Sequence, residues 1–187
     1  LLKDLNRFFK TDMISKKIDL VIREVPDFPK PGINFKDITT LLLNQQLSSE
    51  IIDTFINRLK GKKVDAIVGV ESRGFLFGFL LANKMGIPFI PIRKSGKLPG
   101  ETLRCKYDLE YGSAEVEVHK SDIKKGWNVV VHDDLLATGG TASAASELMK
   151  ELEVKIVAFA FIISFDFLNG NEKLEQYSKE IISLKRY

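Results

Sequence analysis

At 187 residues, with 28 Lys and Arg against 25 Asp and Glu, the chain is long enough for one full-sized domain. Its net charge of +3 is too small to argue for nucleic acid or a membrane surface. One cysteine, Cys105, excludes an internal disulfide framework and suits a reducing, cytoplasmic setting, and with two histidines it leaves no His/Cys metal cluster. The longest apolar run, Ile156–Phe165, has the length of a buried strand rather than a membrane span, and no stretch reads as a signal peptide.

The first expected element is an amphipathic helix ending near Arg23, with Ile14, Ile18, Val21 and Ile22 on one side and Lys16 and Lys17 on the other. Pro26–Gly32 (PDFPKPG) follows as a proline-stiffened loop that can be neither helix nor central strand. It leads into Ile33-Asn34-Phe35-Lys36-Asp37, read most simply as a connector capped by a core Phe35. Leu47, Ile51, Ile52, Phe55, Ile56 and Leu59 predict a helix over Leu47–Lys60, ended by Gly61. Val64–Val70 reads as a buried strand, Phe75–Met85 as a helix stopped by Gly86, and Ile87–Ile92 as a second strand.

Arg73 sits in the turn Glu71-Ser72-Arg73-Gly74, and Arg93, Lys94 and Lys97 crowd the turn after the second strand. Singly each is a solvated charge. Three in five residues, just after a strand and followed by Gly96 and Gly100, point instead to an anion. Thr102–Asp108 and Ala114–His119 alternate around Glu110-Tyr111-Gly112, which predicts a two-stranded flap over about 95–120. Glu115, Glu117 and His119 alternate with Val116 and Val118, giving that flap one polar face.

Val129–Ala145, VVVHDDLLATGGTASAA, organises the remainder. It reads as a buried strand through Val131, an acidic turn at Asp133 and Asp134, and a loop of Ala137, Thr138, Gly139, Gly140 and Thr141. A helix follows, with apolar positions at Ala142, Ala145, Leu148, Met149 and Leu152. Glycines at a helix N-terminus let free amides and the positive end of the dipole wrap an anion, and threonine hydroxyls add donors. The loop is neither a Walker A nor a GxGxxG. Two acids beside a phosphate cradle would repel the phosphate unless they face another part of the same ligand, such as ribose hydroxyls or a divalent cation. A sugar phosphate meets both demands. Val154–Ser164 is a further strand, and the charge pattern from Asn169 to Tyr187 suggests helix. Strand–helix–strand occurs twice, which predicts an α/β fold: a parallel twisted sheet with helices on both faces and ligands at the carboxyl ends of the strands. Residues 1–187 read as a single domain with a small N-terminal hood at about 18–40.

VHDDLLATGGTA resembles the PRPP-binding motif of type I phosphoribosyltransferases. PDFPKPGINFKDITTLL, ESRGFLFG, RKSGKLPG and YDLEYG are similar, in order and spacing, to the adenine-specific members of that family, and the resemblance runs from about Ile18 to Glu175. It implies a hood over adenine, with Phe35 stacked on the base and the main chain of Asn34 and Lys36 reading its edge. A backbone C=O and N–H two residues apart match adenine and mismatch 6-oxopurines, because a buried unpaired polar group is costly. Many members carry an aliphatic residue and Arg where this chain has Asn34 and Lys36, and EL where it has Ser164-Phe165. Phe165 would cover the second face of the base. His132 stands where Val is usual.

The resemblance also implies that Arg73, Arg93, Lys94 and Lys97 contact pyrophosphate, that the Glu71–Ser72 peptide is cis, that the flap closes, and that Glu110 handles a proton on the purine. The expected reaction is adenine and PRPP to AMP and pyrophosphate, a purine-salvage step through an oxocarbenium-like ribose. Asp133 and Asp134 hold the sugar and Ala137–Thr141 the 5′-phosphate. Mg²⁺ is expected to be bound mainly by substrate and water, so no protein-only metal site is named. A homodimer in the cytoplasm, without nucleic acid or membrane, completes the expectation. Its rivals are a phosphoribosyltransferase for another base, such as xanthine or orotate, and a non-catalytic PRPP- or nucleotide-binding regulator.

Overall fold

The computed structural model describes residues 13–28, 30–108 and 112–187. Helix α1 covers residues 13–21, the part of the expected N-terminal helix that is described. A short antiparallel ribbon joins β1 (Arg23–Val25) to β2 (Phe35–Asp37), pairing Val25 with Phe35 across the proline loop. The one-turn α2 (Thr39–Leu42) leads to α3 (Gln45–Leu59), whose N-cap Asn44 accepts the Leu47 N–H at 3.0 Å. Its buried stripe, Leu47, Ile51, Ile52, Phe55 and Leu59, is the one the spacing predicts.

The remaining elements build a seven-stranded sheet. Strand β3 (Ala66–Val70) is followed by α4 (Gly74–Met85) and β4 (Phe89–Lys94). The flap strands are β5 (Thr102–Asp108) and β6 (Ser113–His119). Then come β7 (Asn128–Leu136), α5 (Gly140–Glu151), β8 (Lys155–Ser164), α6 (Gly170–Leu174) and β9 (Ile181–Arg186). The strand order is β5-β6-β4-β3-β7-β8-β9, parallel from β4 to β9 and antiparallel at β6 and β5. Helix α4 ends where Gly86 turns left-handed (φ 67°) and Ile87 N–H reaches back to the Ala82 carbonyl at 3.1 Å.

Each face of the sheet has its own core. Ile18, Leu41, Ile51, Phe55, Phe77 and Leu81 from α1–α4 pack on Ile67, Val130, Ala158 and Ala160. Ala145, Leu148 and Met149 of α5 pack on Val68, Val131, Phe159 and Phe161, and Val116 and Val118 join that side. The alternation within β7 slips once. Val130 and Leu135 pack on one side, Val131 and Leu136 on the other, and both spacings are odd where a regular pleat requires even.

Two expectations are corrected. The strand expected to end at Val131 runs on through Asp133 and Asp134 to Leu136, because β8 continues beside it as far as the Leu136–Ser164 pair. The acids therefore stand on a strand end, not in a turn. The tail expected to be helical holds only the short α6 and then β9, which pairs parallel with β8 and buries Ile182 and Leu184 alternately. Period-two burial there outweighs the charge pattern that suggested helix.

Candidate active site

At the carboxyl end of β7, a cavity of about 370 Å³ opens between the sheet and α5. Its walls are Asp133 through Ala142, Glu71 through Arg73, Lys94, and Tyr107, Ala114 and Val116 of the flap. Both acids and all five loop residues singled out in the sequence thus face one space.

Backbone geometry makes the loop. Gly139 adopts φ +75° as the residue before α5, and its carbonyl accepts Ser143 N–H at 2.8 Å. No side chain caps this helix, so the amides of its first turn are left for a ligand. Gly170 presses on the loop from behind. A Cβ there would lie 2.2 Å from the Ala137 carbonyl oxygen and 3.1 Å from the Gly139 nitrogen. The Thr141 hydroxyl lies 3.3 Å from the Tyr107 hydroxyl, which links the flap to the loop.

The acid pair is held close to α4. Gly74 approaches it so tightly that an added Cβ would meet Asp133 Oδ1 at 2.9 Å and the His132 carbonyl at 3.0 Å. Asp134 N–H donates to Asp133 Oδ1 at 2.9 Å, and Asp134 is 4 % exposed. Arg73 Nε lies 3.0 Å from Asp134 Oδ2, an ion pair that lacks hydrogen-bond alignment. Burial pushes the Asp133 carboxyl well above its usual range, and the neighbouring Asp134 charge adds to the effect. Burial also raises Asp134, with Arg73 pulling the other way. The pair therefore favours a ligand that brings donors or positive charge.

The basic residues divide. Arg73 and Lys94 line the cavity. The Arg93 guanidinium is instead gripped by Glu71 at 3.1 and 3.3 Å, and Lys97 is exposed and outside the lining. The Glu71–Ser72 peptide is cis, as the resemblance implies. Glu110 lies outside the described residues.

The hood residues lie beside the cavity. Phe35 packs edge-on against Phe28 at 5.2 Å, and the Arg73 guanidinium sits 5.3 Å from the Phe35 ring centre. Asn34 Nδ2 donates to Glu24 at 2.8 Å, and the Lys36 ammonium pairs with Glu24 and lies 4.3 Å from the Tyr187 ring centre. Phe165 N–H donates to the Leu136 carbonyl at 2.9 Å, which holds its ring at the end of β8, 5.9 Å from Tyr187. His132 is wholly buried, edge-on to Phe55 at 5.5 Å, and neither ring nitrogen has a hydrogen-bond partner.

Sequence reasoning missed Glu71, Tyr107 and Gly170. Glu71 and Arg93 are 22 positions apart, and parallel pairing of β3 with β4 brings them together. Tyr107 carried only strand alternation as a signal, and nothing local marks Gly170.

Residues 37–185 match the family model described as the phosphoribosyl transferase domain. An adenine phosphoribosyltransferase of Clostridium botulinum is 51% identical over 166 residues, covering 89% of this chain and 95% of that one. The crystal structure of adenine phosphoribosyltransferase from Thermoanaerobacter pseudethanolicus superposes with a TM-score of 0.88 at 45% identity, covering 92% and 99% of the two chains. That from Saccharomyces cerevisiae, complexed with D-2,5-dideoxy-2,5-imino-altritol 1,6-bisphosphate and adenine, gives 0.88 at 41% identity with the same coverage.

Proposed function

This chain belongs to the phosphoribosyltransferase family, and from that premise we propose that it joins adenine to the phosphoribosyl group of PRPP, releasing pyrophosphate and forming AMP. The observation that carries the reading is the shared cavity of about 370 Å³, in which the Ala137–Thr141 amides and hydroxyls stand beside a desolvated acid pair. A ligand with a terminal phosphate and a diol one pentose away satisfies both.

In the transfer, the bond from the ribose C1 to pyrophosphate breaks and a bond from C1 to the purine nitrogen forms. The loop anchors the 5′-phosphate, so only C1 travels. Asp133 and Asp134 accept the ribose hydroxyls and stabilise the positive charge that develops on the ring. Arg73 and Lys94 meet the departing pyrophosphate, while Arg93, engaged by Glu71, serves by shaping the turn. Phe35 and Phe165 cover the two faces of the base, and the Asn34 carbonyl and Lys36 N–H read its edge. The Lys36 side chain is committed to Glu24 and Tyr187, which supports a main-chain role there. Glu110 takes the proton that the purine nitrogen gives up.

Among the described residues no group of three or more His, Cys, Asp or Glu could hold a metal ion. The carboxylates of Asp133 and Asp134 at the cavity wall are oxygen donors that fit a Mg²⁺ ion held otherwise by substrate and water, which when bound would neutralise pyrophosphate charge. Leu76, Phe79 and Leu80 stand 40–55 % exposed on α4 and support pairing with a second copy of the chain. No helix among the described residues is long and apolar enough to cross a membrane. The free Cys105 fits a cytoplasmic setting.

The test is turnover with PRPP, Mg²⁺ and adenine, hypoxanthine, guanine or xanthine in parallel. Adenine should be preferred by orders of magnitude. A preference for a 6-oxopurine would overturn the base assignment, and absence of pyrophosphate release with every base would favour a binding-only regulator.

A further inference from the structure

β4 ends at Lys94 and the turn to β5 carries Lys97; Glu71, just past β3, and Glu117 of β6 hold this stretch of backbone. At its start Glu71 accepts Lys94 N–H at 2.9 Å while gripping Arg93. At its end Glu117 Oε1 accepts the N–H groups of Lys97 and Leu98, both at 2.8 Å. Glu117 Oε2 accepts the Thr102 hydroxyl at 3.2 Å and lies 3.1 Å from Arg104 Nε, both on β5. Arg93 closes the arrangement by donating to the Lys97 carbonyl at 3.3 Å.

Glu117 was expected on the polar face of the flap. It is 0 % exposed, between Val116 and Val118, because the Lys97–Leu98 turn folds onto it and donates two amides to its carboxylate. A buried carboxylate is costly unless donors match its oxygens, and an apolar side chain would fill the space without that cost. Here it makes charge-assisted contacts to two consecutive amides of the basic turn and to the root of the flap.

We propose that Glu117 is a positioning residue for pyrophosphate: it fixes the turn directly after Lys94, the cation at the cavity wall, and ties that turn to the flap strands. The role rests on the reading above that Lys94 meets pyrophosphate. Glu117 touches no substrate itself. It sets where the cation stands, and it couples that position to the strands that carry Tyr107 to Thr141.

The experiment compares full-length wild type with Glu117→Gln and Glu117→Ala, varying adenine and PRPP separately and titrating pyrophosphate by calorimetry. In Glu117→Gln the KM for PRPP and the Kd for pyrophosphate should rise together by about tenfold, the scale of one lost charge-assisted contact, with the adenine KM moving less than about twofold. Glu117→Ala should lose more, since the amide of Gln keeps one acceptor for the turn; should Ala not fold, Gln alone decides. Equal rises in both KM values, a loss confined to kcat, or wild-type constants would overturn the role. Wild type that binds pyrophosphate without turning over adenine would overturn the proposed activity but not this role, which the pyrophosphate Kd ratio then decides. Wild type that binds no pyrophosphate would overturn both.

Discussion

Arg73 Nε stands 3.0 Å from Asp134 Oδ2, and its positive charge opposes the burial that raises this carboxyl. The guanidinium on the same side chain lies against Phe35. One residue of the β3–α4 turn thus touches both the acid pair and the hood.

The acid pair predicts a trade of activity for stability. Replacing Asp133 and Asp134 together with Asn should lower kcat by at least about 100-fold, the scale of removing oriented electrostatic stabilisation. The fold should persist and its Tm should rise at neutral pH. A folded carboxyl held above its unfolded pKa costs stability as pH climbs from the unfolded toward the folded value, and Asn removes that cost. Thermal melts at pH 7 beside steady-state kinetics check both halves, and an unchanged kcat would exclude the proposed role.

Gly170 predicts an effect on a loop some thirty positions earlier in the chain. Gly170→Ala puts a methyl against the Ala137 carbonyl and must displace the Ala137–Thr141 loop. The kcat/KM for PRPP should fall by about 10–100-fold, as small misplacements in a site do, with much smaller effects on the KM for adenine. AMP titration should weaken in parallel.

His132 predicts a pH dependence of stability. Burial lowers its pKa from 6.5 to about 4; the Ala160 backbone, near but outside hydrogen-bond geometry, opposes this weakly. The unfolded chain therefore binds a proton at higher pH than the folded one. This contribution is complete above about pH 6.5, declines as pH falls, and is gone below about 4. It amounts to about 3 kcal/mol over that window. His132→Val should flatten the slope of stability against pH between 4 and 6.5, read by urea denaturation across that range. An unchanged slope would show that the ring is not the titrating group.

Glu110→Gln should lower kcat with adenine more than it weakens PRPP binding, because proton transfer is lost while the sugar-phosphate contacts stay. Stopped turnover and equilibrium PRPP binding separate the two, and equal losses would contradict proton handling.

What the sequence made legible was local. The Gly/Thr loop, the acid pair and the basic turns could be read because each feature needs only its neighbours along the chain. The pairing of Arg93 with Glu71 could not be read because that partner arrives through sheet pairing. Glu117 was read only as part of the flap's polar face, because alternation tells which residues share a face, not whether a turn folds over it. The tail misled for a related reason: charges at 172–179 obscured the strand over Ile181–Arg186. Gly170 could not be found at all, since a close approach between distant backbones has no local signature.

The half-step in β7 has a consequence for the chemistry. Consecutive residues on an undisturbed strand diverge to opposite sides, so one of two adjacent aspartates would be sent into the oily layer beneath. Here the change of side falls between Val130 and Leu135, and both aspartates within that stretch line one space. In the proposed reading a diol would be grasped by neighbours in sequence, at the expense of a single rung of ordinary strand regularity.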